Sequence, residues 1–400
     1  VATPYGCGLE RSQAASRMPR RGIRRGMHEQ LTILAIDAFH GGSHRAFLNG
    51  WEAHSRHRFT KLTFPPRHWK WRMRHVAVTC AQGWSDPREP AVGADVLFCT
   101  DMLNLAEFLG LVDESVRQLP KIVYFHENQL TYPLAPGETM DYQFGFTDIT
   151  TALAAERVLF NSRTHRDSFF LKLPGFLKMM PEYRPTWVTD AIRSKSGVLY
   201  PGCRFPADDA PISENRLTDP PLIIWNHRWE FDKNPESFFD ALDAVAHQGI
   251  DFRLALLGEN CQTVPKVFIR ARERYGNKIL QYGYVAARAA YIDWLKRGAI
   301  VISTAQQENF GISVVEAVRF GCFPLLPARL AYPEIIPEHC HPHVLYHDQE
   351  ALVTQLHRLI DHYTDFQELR VSLANSMRRF AWDSVIDDYD RLLETLANTA

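Results

Sequence analysis

The chain has 400 residues, 46% of them hydrophobic, and its 45 basic and 46 acidic side chains leave a net charge of −1. That is a globular profile long enough for two domains of ordinary size; it excludes a protein coated in basic surface, so any nucleic-acid contact must be local, and no run has the length and apolarity of a transmembrane helix. Seven scattered cysteines (Cys7, Cys80, Cys99, Cys203, Cys261, Cys322 and Cys340), odd in number and without a CxxC pair, point to free thiols in a reducing compartment and so to a cytoplasmic protein.

Residues 1–27 carry Arg11, Arg17, Arg20, Arg21, Arg24 and Arg25 with little apolar content. They read as a disordered basic arm without the apolar core of a signal peptide, and Met27 stands just before the first strand. Leu31 to Asp37 is a buried-strand pattern, followed by Phe39-His40-Gly41-Gly42-Ser43-His44 and a helical run from Arg45 to about His54. A strand, a glycine pair and a helix opened by Ser have the form of a phosphate-binding turn, though a lone Gly-Gly also serves a plain tight turn. His40 and His44 have helical metal spacing but no third ligand, so no metal is assigned. After Lys61 to Pro66, the segment Arg67-His68-Trp69-Lys70-Trp71-Arg72-Met73-Arg74-His75 interleaves four cations with two tryptophans. Indoles stack on bases and guanidinium groups hold phosphates, so the segment suits single-stranded or looped RNA; a helix with an aromatic core face and a basic solvated face would show the same pattern.

Ala94 to Thr100 and Pro120 to Phe125 are further buried strands, with a helix over Leu103 to Phe108 between them. The second runs into His126-Glu127-Asn128-Gln129-Leu130-Thr131-Tyr132-Pro133. Open α/β sheets place ligands at the carboxyl ends of parallel strands, which makes His126 a candidate site residue. Val158 to Ser162 is one more strand, and its Asn-Ser end caps a helix from Arg163 to about Leu173. Strands and helices alternating with short connections mean a doubly wound α/β domain. Pro174 to Pro185 is rich in proline and methionine, and the polar stretch from Asp208 to Pro221 reads as an interdomain linker.

Pro221 to Asn226 starts a second βα series. It enters the helix Ser237 to His247 through a loop carrying Arg228 and Lys233, two cations beside a helix N-terminus that can be directed at phosphate or simply form surface pairs. Phe252 to Leu257 and Lys278 to Gly283 are the next strands, with a helix over Tyr291 to Lys296. Then Gly298 to Thr304 reads as a short buried strand, and after Phe310-Gly311 the residues Ile312, Val315, Glu316 and Arg319 fall at helical spacing. A strand, a glycine turn and a helix N-terminus aim backbone N–H groups and a positive dipole end outward, where a diphosphate can sit. On spacing alone Glu308 in the loop and Glu316 inside the helix read as a capping carboxylate and a solvated helix face; read instead as two contacts to one ligand they call for hydroxyl groups on it, since a carboxylate cannot help bind phosphate. A nucleotide sugar offers a diphosphate, a ribose and a hexose together. Helices over Leu356 to Tyr363, Phe366 to Phe380 and Trp382 to Leu396 close the chain. Within the last, Asp388-Tyr389-Asp390 mimics a metal-binding DxD but reads as solvated helix charges; His339-Cys340-His341 with His343 reads as a loop without metal.

Taken together, the glycine pair after the first strand, His126 after a middle strand, Arg228 and Lys233 five apart, and Glu308 to Glu316 around Phe310-Gly311 resemble the retaining GT-B glycosyltransferases of family four, over both halves in order. More narrowly, Ile36 to His44, Phe64 to Arg72 and Tyr124 to Pro133 are similar to the tRNA-queuosine mannosyltransferases, which transfer mannose from GDP-mannose to the queuosine base at the first anticodon position. The chain departs from animal members at Asp37 and His40, where they carry Glu and Tyr, which leaves the modified base and the donor sugar open. The resemblance implies an α/β, GT-B fold: two Rossmann-like domains, residues 28–205 on the acceptor side and 206–378 for the nucleotide sugar, facing across a cleft, with residues 379–400 crossing back to the first domain as a helix. It implies that Arg228 and Lys233 hold the donor diphosphate, that Glu308 contacts sugar hydroxyls beside the N–H groups near Phe310, Gly311 and Ile312, and that Glu316 binds the ribose. Gly41, Gly42 and His126 would approach sugar and phosphate from the first domain. His126, Arg228, Lys233 and Glu308 form the implied catalytic set, with a donor phosphate oxygen as base for the acceptor hydroxyl. A tRNA carrying queuosine would lie along Arg67, His68, Trp69, Lys70, Trp71, Arg72 and Arg74. Besides GDP-mannose as donor, no cofactor, metal or membrane partner is expected. Two rival readings are a family-four transferase acting on a lipid or polysaccharide, with the Trp-rich basic segment as a membrane helix, and a catalytically idle RNA-binding protein of the same fold; the joint presence of Arg228, Lys233, Glu308 and Glu316 argues against the second.

Overall fold

Six apolar segments of the first half pair side by side, all parallel: β1 (Thr32–Asp37), β2 (Arg58–Thr63), β3 (Val96–Thr100), β4 (Lys121–Phe125), β5 (Arg157–Phe160) and β6 (Ser196–Val198), in the order β2-β1-β3-β4-β5-β6. They belong to a computed structural model that describes residues 30–82, 93–135, 137–206, 220–259 and 264–399. The basic arm expected over residues 1–27, and most of the linker expected over 208–221, lie outside the described residues. The connecting helices are α1 (Gly42–His54), α2 (Trp69–Gln82), α3 (Leu105–Leu111), α4 (Glu114–Arg117), α5 (Tyr142–Ala154), α6 (Arg163–Lys178) and α7 (Val188–Arg193). They explain why β3 and β4 read as unbroken apolar runs: Met73, Leu105, Phe108, Phe144 and Phe169 cover one face of the sheet, and Phe47, Leu48 and Trp51 of α1 cover the other.

The second half repeats the plan with β7 (Leu222–Trp225), β8 (Arg253–Leu256), β9 (Ile279–Tyr282), β10 (Ile300–Ile302), β11 (Phe323–Pro327) and β12 (Leu345–Tyr346), again all parallel, in the order β12-β11-β10-β7-β8-β9. Its helices are α8 (Pro235–His247), α9 (Lys266–Tyr275), α10 (Arg288–Arg297), α11 (Ile312–Arg319), α12 (Tyr332–Ile335), α13 (His341–Val344), α14 (Gln349–Asp361) and α15 (Gln367–Ser376). A joint links the two halves: the Cys203 N–H donates to the Phe380 carbonyl at 2.6 Å, and the Trp382 N–H donates to the Cys203 carbonyl at 3.2 Å. Beyond it, α16 (Trp382–Thr399) returns to the first domain and buries Trp382, Tyr389, Leu393 and Leu396 against Phe47 and Trp51.

Several boundaries differ from those expected. The helix expected over Leu103 to Phe108 begins at Leu105, because Asn104 caps it by accepting from the Glu107 N–H at 3.1 Å. The helix that begins at Arg163 does not stop at Leu173 but continues through Pro174 to Lys178, since Phe176 and Leu177 still have core to fill. Asp390 is not a solvated helix charge. It is 2% exposed, and its carboxylate accepts from the Ser55 hydroxyl at 2.6 Å and the Arg56 N–H at 3.0 Å, tying α16 to the end of α1. The strands β2, β6, β11 and β12 were not assigned from the sequence pattern.

Candidate active site

Strand order reverses beside the first strand of each sheet. The chain leaves β1 for β2 on one side and returns to β3 on the other; likewise it leaves β7 for β8 and β9, then crosses back to β10. Loops at the carboxyl ends of strands flanking such a reversal part and open a crevice. The residues singled out in the sequence stand at these ends: Gly41 and Gly42 after β1, His126 after β4, Arg228 and Lys233 after β7, and Glu308 to Ile312 after β10.

In the first domain the glycine pair is dictated by geometry. A Cβ on Gly41 would lie 2.2 Å from Cγ of Pro66, and Gly42 has φ +48°, so one position needs the close approach and the other the left-handed backbone. Asp37, at the end of β1, is fully buried and accepts from Thr100 Oγ1 (3.2 Å), the Phe39 N–H (3.2 Å) and His40 Nδ1 (2.8 Å), with His44 Nδ1 at 3.5 Å. Burial alone would raise its pKa, but the hydrogen bond from His40 and the close approach of His44 outweigh it and hold the carboxyl well below the usual range. Burial likewise works against a charge on His44, yet the neighbouring Asp37 carboxylate raises that pKa. His44 stacks on His126 with ring centroids 3.9 Å apart. Burial first, then the His44 charge, push His126 far below the ordinary imidazole value, so it is neutral. Its backbone is pinned on both sides: the N–H donates to Asp101 Oδ1 at 2.9 Å, and the carbonyl accepts from Asn161 Nδ2 at 2.9 Å and, across the cleft, from Asn309 Nδ2 at 3.0 Å.

In the second domain two loops interlock. Thr304 Oγ1 donates to the Lys233 and Asn234 carbonyls at 3.0 and 2.8 Å, and the Gln306 N–H to the Asp232 carbonyl at 2.7 Å. Lys233 is buried between them; its Nζ donates to the Gln307 carbonyl at 2.7 Å and lies 3.1 Å from Asp232 Oδ2 and 3.4 Å from Glu308 Oε2. Burial opposes charge on both partners, but Glu308 and Asp232 raise Lys233, and Lys233 lowers Glu308, so the pair is ionised at neutral pH. Arg228 is half-exposed and pairs with Glu230 at 3.2 Å. Burial again acts against it, while Glu230, then Tyr132 and Glu127 of the first domain, raise its pKa; the guanidinium therefore feels the opposite wall of the cleft. Gly311, at φ +93°, ends the loop and starts α11, leaving the N–H groups of the first turn at the crevice.

Glu308 and Glu316 are in separate ion pairs. Glu316, on α11, is engaged by Arg288 Nη2 at 2.5 Å, and the same nitrogen reaches the Arg204 carbonyl at 3.3 Å. The basic segment opens α2. Trp69 packs on Phe144 (5.0 Å) and Arg74 lies over the same ring (5.1 Å), while Arg67, His68, Lys70 and Trp71 are exposed, Trp71 by 62%. One tryptophan of the segment is thus on the core face and one outside. Because Pro66 touches Gly41, the exposed start of α2 borders the crevice. Among the described residues no three His, Cys, Asp or Glu side chains converge as a metal site, and His341 instead donates to the Pro333 and Ile336 carbonyls at 3.1 and 3.0 Å. Nor is any described helix long and apolar enough to cross a membrane. Sequence patterns missed Asn309, Asn161 and Arg288, whose roles depend on partners distant in the chain; the His40/His44 spacing was a signal, though for Asp37 and not for a metal.

Two parallel α/β domains facing across a cleft, with a terminal helix returning to the first and charged loops at both strand-order reversals, define a glycosyltransferase of the GT-B architecture. The fold is shared with a sucrose-phosphate synthase from Thermosynechococcus elongatus (TM-score 0.68, 14% identity, covering 92% of this chain and 100% of that one) and with Anabaena HepE in complex with UDP and glucose (TM-score 0.60, 14% identity, 92% and 100%). Residues 32–203 match the family model for the tRNA-queuosine alpha-mannosyltransferase N-terminal region, and residues 208–380 match that for glycosyl transferases group 1. A tRNA-queuosine alpha-mannosyltransferase from Drosophila melanogaster is 37% identical over 333 residues, 81% of this chain and 86% of that protein. The chain belongs to the tRNA-queuosine alpha-mannosyltransferase family.

Proposed function

We propose that this enzyme moves mannose from GDP-mannose to the queuosine base of a tRNA anticodon, with retention of the anomeric configuration. The observation that carries the reading is the ionised Lys233–Glu308 pair at the mouth of the second sheet, set beside the α11 N-terminus and joined through Asn309 to a neutral His126 on the opposite wall. As the glycosidic bond to the diphosphate breaks, negative charge grows on phosphate and the sugar becomes oxocarbenium-like. Lys233, Arg228 and the N–H groups near Phe310, Gly311 and Ile312 meet that growing charge, and each strong donor so placed supplies about 3 kcal/mol. Glu308 accepts from sugar hydroxyls. His126, neutral and fixed by Asp101 and two asparagines, lines the sugar from the first domain without repelling the cationic transition state. A donor phosphate oxygen takes the acceptor proton. Glu316 receives the ribose once Arg288 yields its place. The tRNA approaches along Arg67, His68, Trp69, Lys70, Trp71, Arg72 and Arg74, beside the glycine pair Gly41 and Gly42. The name of the Drosophila relative and the match over residues 32–203 support the acceptor.

Incubation with labelled GDP-mannose and bulk tRNA from queuosine-positive and queuosine-deficient cells tests this. Label is expected in the positive pool alone. Equal labelling of both would discard the base, and labelling of neither would reject the reading.

A further inference from the structure

Glu334 belongs to the second domain, on the short helix α12, yet its carboxylate is engaged by the first. Oε1 accepts from the Arg163 N–H at 2.8 Å and the Tyr200 hydroxyl at 2.7 Å, with Arg163 Nε at 3.3 Å; Oε2 accepts from the Thr164 N–H at 2.9 Å and Thr164 Oγ1 at 3.0 Å. The side chain is 8% exposed. Two of these donors are backbone N–H groups of the first turn of α6, which lack intrahelical acceptors and stand at the positive end of a 16-residue helix. A carboxylate from one domain thus caps a helix of the other. On the Glu334 side, Arg379 Nη2 donates to the Glu334 and Ile335 carbonyls at 3.2 and 2.7 Å and steadies the backbone that carries it.

The stretch that Glu334 grips adjoins the one that fixes His126. Asn161, two residues before Arg163, donates to the His126 carbonyl, and that oxygen also accepts from Asn309 in the donor loop. Holding α6 against α12 therefore sets the separation at which Asn309 reaches His126. We propose that Glu334 is a positioning residue for glycosyl transfer: by capping α6 across the cleft it latches the two domains at the spacing that brings His126 to the donor loop. The inference rests on the reading that transfer occurs between these two walls; it does not depend on which sugar or base is used.

The test is Glu334→Ala, with Glu334→Gln as the conservative variant and Thr164→Val removing a donor from the other side. Small-angle scattering of the free protein reads the latch without any substrate. The alanine variant is expected to show a larger radius of gyration than the wild type. With labelled GDP-mannose its kcat should fall at least tenfold while the donor KM moves less than threefold, because the donor is held by the second domain. The glutamine variant, which keeps one acceptor oxygen, and Thr164→Val should fall between. If the alanine variant does not fold, these two carry the test by the same readouts. Wild-type scattering in the variants overturns the proposal whatever the activity, as does a wild-type kcat with a raised radius. Domain opening in the variants, with no transfer of mannose by the wild type, would sink the donor and acceptor reading and support the latch.

Discussion

Lys233 holds together two carboxylates that would otherwise lack a paired cation, the fully buried Asp232 and the partly buried Glu308. Substitutions here therefore have unequal meanings. Lys233→Met leaves both acids uncompensated, a change of a kind that costs about 3–5 kcal/mol of stability, so lost activity in that variant would say little about chemistry. Glu308→Gln leaves Lys233 with Asp232 and the Gln307 carbonyl, so the variant should fold. It should lose tenfold to a hundredfold in kcat, the equivalent of about 1.5–3 kcal/mol for a hydrogen bond to a charged group, with tRNA affinity unchanged. A wild-type kcat in a folded Glu308→Gln enzyme would remove Glu308 from the site. His165 is legible in a different way. Its Nδ1 lies 2.8 Å from Asn161 Oδ1 and its Nε2 2.8 Å from Asn128 Nδ2, an arrangement that suits the neutral ring, with Nδ1–H donating and Nε2 accepting. A second proton would point at the Asn128 amide hydrogens, and burial pushes the pKa down to about 3. The unfolded chain takes up that proton near pH 6.5 and the folded chain does not, so stability drops as pH falls from about 6.5 towards 3. By pH 5 the loss from this residue is about 2 kcal/mol. Asp101, lifted by burial to about 7, works in the opposite direction over part of the same range. The readout is therefore the difference between wild type and His165→Gln in urea unfolding at pH 7 and pH 5. Equal pH dependence of the two proteins would contradict the assignment.

At the scale of elements, what the sequence revealed depended on whether local pattern and tertiary role agreed. The strands β1, β3, β4, β5, β7, β8 and β10 are continuous apolar runs because helices cover both faces of their sheets, and they were legible for that reason. β11 was not, since Phe323-Pro324-Leu325-Leu326-Pro327 carries two prolines and would ordinarily be excluded from a sheet interior. The structure shows why it is admitted. Phe323 donates to the Ala299 carbonyl and the Leu325 carbonyl accepts from Ser303, so the odd residues face β10; Pro324 faces the other side, where pairing with β12 begins only at Leu326. Glycine turns were legible as well, because Gly42 and Gly311 occupy left-handed backbone that few other residues adopt. The candidate site was readable only as far as residues close in sequence. Lys233 and Glu308 could be picked out by type and position, but Asn309 on His126, Arg288 on Glu316 and Glu334 on α6 are contacts between segments 28 to 183 residues apart, and nothing in a local window encodes them.

For the molecule as a whole the constraint is charge. A protein of net charge −1 has no general attraction for a polyanion, so tRNA affinity has to come from a small surface. At the start of α2 the cations are partly committed: Lys70 lies 3.4 Å from Glu138, Arg72 donates to the Pro65 carbonyl at 3.1 Å, and Arg74 covers the Phe144 ring. Between two and four phosphate contacts are thus the most this face supports, which for unpaired RNA corresponds to a slope of log affinity against log salt of about −1.5 to −3. Arg67→Ala should make that slope shallower by about 0.7 and weaken all tRNAs alike. Trp71→Ala should leave the slope unchanged but cost about 1–3 kcal/mol, because an indole exposed by 62% offers a base a stacking face and no charge. Titrations at several salt concentrations separate the two effects. A slope as steep as −6, or one indifferent to Arg67, would mean that the tRNA lies on another face, and the start of α2 would then be only the lid of the first domain's core.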